Sequence, residues 1–256
     1  MKESFVSNDS IVRKIWGRAD TVLFIFAGAA AEFALNKAVD WLYFTGRLPA
    51  DPLGRLFSTV AYARQIIFSD SDDAQRAIDK ITAIHNNVEA ARGTNIPDWA
   101  YRDVLFMLID YSIRSFESLD RKLTQAEKNE VFDVFYRVGS RMNIPGLPAG
   151  HKEWQATREK HLQEDLINSA FTNDLYLQYK KKLGTLRYWV LIQVQMQLVP
   201  ERVTKLLQFN GRRWIKPVLS IYKLLRKISL ERFFKNILLP AAYKNQIKAL
   251  DITSRA

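Results

Sequence analysis

Apolar residues recur along this chain at steps of three and four, the period of one helical face. Between Arg55 and Phe68 the set Leu56, Val60, Ala63 and Ile67 follows that rule. The preceding stretch, Leu48-Pro49-Ala50-Asp51-Pro52-Leu53-Gly54, reads as a loop. Asp51 is its N-cap and Pro52 the first helical position. A second helix opens after Ser69-Asp70-Ser71-Asp72, with the stripe Ala74, Ile78, Ile81, His85 and Val88. A histidine thus fills a slot that the period reserves for an apolar residue, so His85 is expected on the buried stripe. Gly93, with Asn95 and Pro97 just beyond, stops this helix.

The same period predicts a third helix from Trp99 to Leu119, burying Leu105, Leu108, Ser112, Ser115 or Phe116, and Leu119. Thr124-Gln125-Ala126-Glu127 is a capping box that opens a fourth, presenting Val131, Phe135, Val138 and Met142. One or two helices are expected over 151–182, an apolar helix over Leu183 to Val199 closed by Pro200, and shorter basic helices between Pro217 and Leu239. The apolar run Val22 to Leu35 is interrupted by Glu32 and is short for a bilayer, which marks a core helix. Strand signals are few, and no repeat or long linker divides the chain. The expectation is one all-α domain over residues 1–256.

Composition changes this picture in two respects. The chain contains no cysteine, which excludes thiolate catalysis, Cys-ligated zinc and iron–sulfur clusters. Its formal charge of +11 is uneven: from Phe209 to Lys248 ten Lys and Arg face one acid, Glu231. Between Arg212 and Lys227 those cations interleave with Trp214, Ile215, Leu219 and Tyr222. That pattern fits peripheral contact of the basic C-terminal region with an anionic membrane, and equally a packed terminal helix with a solvated face. Nucleic acid is the weaker partner, because no recognition motif accompanies the charge. The first twenty residues show no apolar segment behind a basic cap, so a cytoplasmic protein is expected.

Candidate chemistry is sparse. Three histidines occur, His85, His151 and His161, with no HExxH and no His/Asp/Glu cluster at metal-site spacing. Phosphate-cradling loops and nucleophile elbows are absent. The residues leave two readings of His85 open. It is a core histidine bonded to a carbonyl, or a neutral imidazole held in an apolar slot as an axial ligand to haem iron. Arg55 and Thr59 stand four apart and share a helical face: they are a solvated helix-start arginine with an incidental threonine, or a cation and a hydroxyl that suit a haem propionate or dioxygen.

The order of these motifs resembles the oxygenase MpaB / latex-clearing protein (rubber oxygenase) family. The resemblance rests on Asp51-Pro-Leu-Gly-Arg55-Leu-Phe-Ser-Thr59, then Ile84-His85-Asn86-Asn87-Val88. It continues through Leu105 to Leu119, Leu123-Thr-Gln-Ala-Glu127, Val138-Gly139 running into Ile144-Pro145, and Leu198-Val-Pro-Glu-Arg202-Val-Thr-Lys-Leu206-Leu. Together these cover residues 15–225, with the basic extension at 209–248. The resemblance implies a globin-like helical fold with additional helices around a b-type haem. His85 would be the proximal iron ligand, and Arg55 and Thr59 would line the haem pocket. The implied activity is an oxygenase using O2 on an apolar, unsaturated or isoprenoid-like small molecule. The alternatives are a non-catalytic haem-binding sensor, store or carrier, and a haem-free lipid-binding module. Three positions depart from the family pattern: Ser58 replaces a lysine, Tyr43-Phe44-Thr45 replaces a His-Ser pair, and Ile109-Asp110-Tyr111 replaces His-Ala-Thr. Ser58 removes the distal amine of the rubber-cleaving members and makes rubber itself an unfavourable substrate.

Overall fold

Helix boundaries follow capping chemistry that the sequence carries. In the computed structural model the described residues are 3–46 and 51–211 with Pro217 and Ser220, and they form helices and no sheet. These helices are α1 (Ile11–Trp16), α2 (Ala19–Phe33), α3 (Val39–Phe44), α4 (Pro52–Phe68) and α5 (Ser71–Arg92). They continue as α6 (Asp98–Leu119), α7 (Gln125–Arg141), α8 (His151–Glu164), α9 (Ala170–Leu198) and α10 (Glu201–Leu206). Asp51 caps α4 by accepting from the Gly54 amide at 3.0 Å, with Pro52 in its first turn. Asp70 caps α5 from the Asp73 amide at 2.9 Å, and Gly93 ends that helix in the left-handed conformation at φ 73°. The Thr124–Glu127 capping box opens α7, and Arg121 with the capping amide holds the Glu127 carboxyl down at about 2.

The basic helices expected after Pro217, and most of the extension over 209–248, lie outside the described residues. So do the side chains of Arg55 and Leu56. The segment from Ala170 to Leu198 breaks at Gly184 into two helical stretches, close to where the sequence separates them. A boundary that differs from the sequence expectation is the end of α2. The apolar run ending at Leu35 stops at Phe33, because Asn36 turns its side chain onto the Ala38 amide at 2.8 Å and the chain restarts as α3.

The core is built by α1, α2, α6 and α7. Trp16, Ile25, Phe106, Ile109, Tyr111 and Val131 are almost fully buried in one apolar cluster. Trp16 satisfies its indole N–H on Ser112 Oγ at 3.1 Å, which explains a serine in a buried slot of α6. Helices α2 and α6 approach closely where Gly28 faces the Tyr111 ring, and a methyl group at Gly28 would overlap that ring.

Glu32, which interrupts the apolar run, anchors a buried ionic network. Its carboxylate accepts both terminal nitrogens of Arg158 from α8 at 2.5 Å, and the Tyr111 hydroxyl donates to it at 2.9 Å. Arg158 also donates to Asp110 at 3.2 Å, and Asp110 accepts from Arg114 Nε at 2.6 Å. Glu32 and Arg158 are 1% and 4% exposed, so neither charge is hydrated. Burial opposes the Arg158 charge, but the two carboxylates outweigh it and raise its pKa. Burial, reinforced by Glu32, likewise pushes the Tyr111 phenol well above its ordinary value.

Removing one member of such a network leaves the others charged and dry. Arg158→Ala is therefore expected to cost about 3–5 kcal/mol of unfolding free energy in urea melts. Gly28→Ala, which presses on a ring with no free space, is expected to cost about 1–3 kcal/mol in the same assay. Unchanged midpoints for either variant would contradict this account of the core.

Candidate functional site

The sequence-predicted residues fall on one helical hairpin. Helices α4 and α5 pack against each other across a bend at Ser69 and Asp70. In an antiparallel hairpin, positions equally far from the bend stand at the same height. Arg55 on α4 and His85 on α5 are such positions, and Thr59 lies one turn nearer the bend.

His85 is half-buried rather than buried, a correction to the expectation from periodicity. Ala74 and Ile78 lie in the core, whereas Ile81 packs only at its edge and His85 and Val88 are partly exposed. The physical reason is geometric: the second half of α5 runs past the core that holds its first half. What covers His85 is Tyr101 of α6, edge-on with ring centroids 5.2 Å apart. The Tyr101 hydroxyl donates to Glu89 at 3.0 Å, and burial together with that carboxylate raises its pKa. A cavity of about 230 Å³ opens here, lined by Thr82, His85, Glu89, Tyr101, Met142 and Pro145 among others. It is smaller than the range of about 300–1,000 Å³ typical of small-molecule sites, and its walls are more polar than the apolar slot expected.

The chemistry of the donor set decides what the hairpin suits. The described cluster of His and carboxylate ligands does not include His85. A lone imidazole fits axial ligation of haem iron, which needs one protein donor, and does not fit a bare divalent ion, which needs about three or four.

A second cluster escaped the sequence reading. Asp103 of α6, His161 of α8 and Asp165 at the end of α8 bring their ligand atoms within 4.8 Å of one another. This corrects the expectation that no His/Asp/Glu group gathers with metal-like geometry. His161 Nδ1 lies 2.5 Å from Asp103 and 3.0 Å from Asp165, so it carries a proton toward two carboxylates. The other oxygen of Asp103 accepts from Asn36 Nδ2 at 2.6 Å. The amide and carbonyl of neighbouring residues knit the same place, with Lys37 N donating to Asp165 O at 2.9 Å and Ile167 N to Leu35 O at 2.7 Å. The cluster therefore ties the α2–α3 break to the end of α8. A local signal existed in the i, i+4 spacing of His161 and Asp165, but Asp103 is distant in sequence.

Burial, reinforced by nearby Asp103, raises the Asp165 pKa. A carboxyl raised in the folded state favours its protonated form, so its contribution to stability is present at low pH and is lost as pH rises through the folded value. Asp165→Asn is expected to gain on wild type in thermal melts as pH increases from about 4 upward. A melting difference that stays constant, or closes, with rising pH would contradict the assignment.

A family model described as the catalytic domain of the ER-bound oxygenase mpaB/B′ and rubber oxygenase matches residues 13–227. No curated protein and no solved structure matches the chain closely enough to count as similar. The match includes the hairpin, the core and both clusters, and on that ground the chain belongs to the mpaB/rubber oxygenase catalytic-domain family.

Proposed function

We propose that this protein is a haem b-dependent oxygenase acting with O2 on an apolar, unsaturated or isoprenoid-like small molecule. The observation that supports the reading is the family match, which spans a half-buried histidine at position 85 together with Arg55 and Thr59 on the preceding helix. His85 would hold the iron through a neutral imidazole, the form that coordinates metal. Haem, when bound, supplies the iron centre at which dioxygen is activated. Arg55 would hold a propionate carboxylate by charge-assisted hydrogen bonds, and the Thr59 hydroxyl would orient an oxygen atom by hydrogen bonding. Ser58 presents no amine, so gating from the distal side by a lysine at that position is absent from this chain. Tyr101 would keep the imidazole plane from turning, because its own hydroxyl is fixed on Glu89. Departure from the family pattern at Asp110 and Tyr111 serves the buried ionic network described above, which supports the fold instead of a substrate wall.

An absorption spectrum tests the haem. Protein supplied with haem is expected to show a Soret band that shifts on reduction, and His85→Ala is expected to lose it while keeping the helical circular dichroism. Protein that stays colourless would overturn the haem reading and favour a haem-free lipid-binding module. Reduced protein given O2 and unsaturated lipids is expected to consume oxygen and yield oxidised products, with Arg55→Ala slowed about 10-fold or more. A Soret band without oxygen consumption would overturn the oxygenase reading in favour of a haem carrier or sensor.

A further inference from the structure

Helix α9 bends at Gly184, whose φ of 73° and ψ of 171° lie outside the helical region. Positive φ favours glycine, so the bend is encoded by the residue. On either side of it the helix buries different residues. Leu175 and Tyr179 pack beneath the first half, in a small cluster with Ala34 and Val39, while Val194 and Leu198 enter the main core. Between them Leu183 and Tyr188 are half-buried against the smaller cluster, while other side chains face outward. Leu177 is 65% exposed, Leu186 64% and Trp189 45%. Leu186 and Trp189 stand three apart and share a helical face.

The same corner is strongly basic. Lys180, Lys181 and Lys182 are consecutive and exposed, and Arg187 follows the bend. No Asp or Glu occurs from Leu175 to Pro200. Several other surface cations are matched, as Arg141 is by Asp79 and Lys205 by Glu201. Among the described residues, none of the four cations at the corner forms an ion pair with a carboxylate.

We infer that the Gly184 corner docks on an anionic phospholipid surface. The cations meet headgroup phosphates and carboxylates, and Leu177, Leu186 and Trp189 enter the boundary between headgroups and acyl chains. Long aliphatic side chains beside unpaired lysines suit lipid, where one surface offers both anions and apolar volume. A nucleic acid offers no apolar volume for two exposed leucines, and an acidic protein would leave them uncovered. The tryptophan fits the same place, since its indole is apolar in body and polar at the N–H. No helix among the described residues is long and apolar enough to cross a membrane, so the contact is peripheral. The inference is independent of haem and of the reaction.

Vesicle sedimentation of the full chain tests it. Binding is expected to phosphatidylcholine vesicles containing phosphatidylserine, to be weak to phosphatidylcholine alone, and to fall as salt rises from about 0.1 to about 0.5 M. Each cation near an anionic surface strengthens binding about fivefold, so Lys180→Gln, Lys181→Gln and Lys182→Gln together should weaken it on the order of 100-fold. Leu186→Ser with Trp189→Ser is expected to lose at least about tenfold even at low salt, where charge is intact. These positions are exposed, and circular dichroism checks that both variants keep the wild-type helix content. Wild-type binding by both variants would overturn the inference. So would binding lost only on neutralising Arg212, Arg213 and Lys216, or binding to a single-stranded oligonucleotide in preference to vesicles.

Discussion

The bidentate pairing of Arg158 with Glu32 is the constraint on which the rest of the structure depends. It joins α8 to α2 through a dry, doubly hydrogen-bonded contact, and Asp110 and Tyr111 bind α6 into the same network. Such a network is a demanding choice, because burying two carboxylates and a guanidinium is unfavourable unless every partner is in register. Its benefit is specificity of arrangement: an apolar α2 could slide or rotate on α6, whereas an α2 carrying Glu32 has one position that satisfies Arg158. The close approach at Gly28 works in the same direction, since only a glycine lets the Tyr111 ring lie against the α2 backbone.

With α2, α6 and α8 fixed, the α4–α5 hairpin packs onto the assembled face through Val60, Ala63, Ile67, Ala74 and Ile78. Only the part of the hairpin near its bend is deeply anchored. The end that carries Arg55 and His85 extends beyond the core, and His85 meets Tyr101 and a polar cavity instead of packed aliphatic side chains. The last turns of α5 are held differently, by Val88 against the cluster of Trp41 and by Arg92, which pairs with Asp40 at 2.6 Å and lies over the Trp41 ring.

The two remaining concentrations of charge face opposite ways. Asp103, His161 and Asp165 are inward and mutually bonded, and they hold the α2–α3 break against the end of α8. The lysines at the Gly184 corner face outward beside exposed leucines with no carboxylate to meet them. Charges that close on each other serve the architecture; charges left open beside apolar surface have their partner elsewhere.

Helix identity and caps were legible from sequence because each depends on residues within one or two turns. The 3.6-residue period of Val60, Ala63 and Ile67, the Asp51 and Thr124 caps, and the Gly93 stop are local devices, and the structure reproduces them. The ordered motifs also placed the chain in its family. Tertiary structure alone decided the rest. Periodicity marks a face of a helix but not how far a neighbour extends along it, so the partial exposure of His85 could not be read from its spacing. Glu32 looked like an interruption until Arg158 arrived from 126 residues away. Asp103 likewise acquired its role from His161, 58 positions on. Long-range pairing of charges depends on which helices become neighbours, and that is settled only when the core packs.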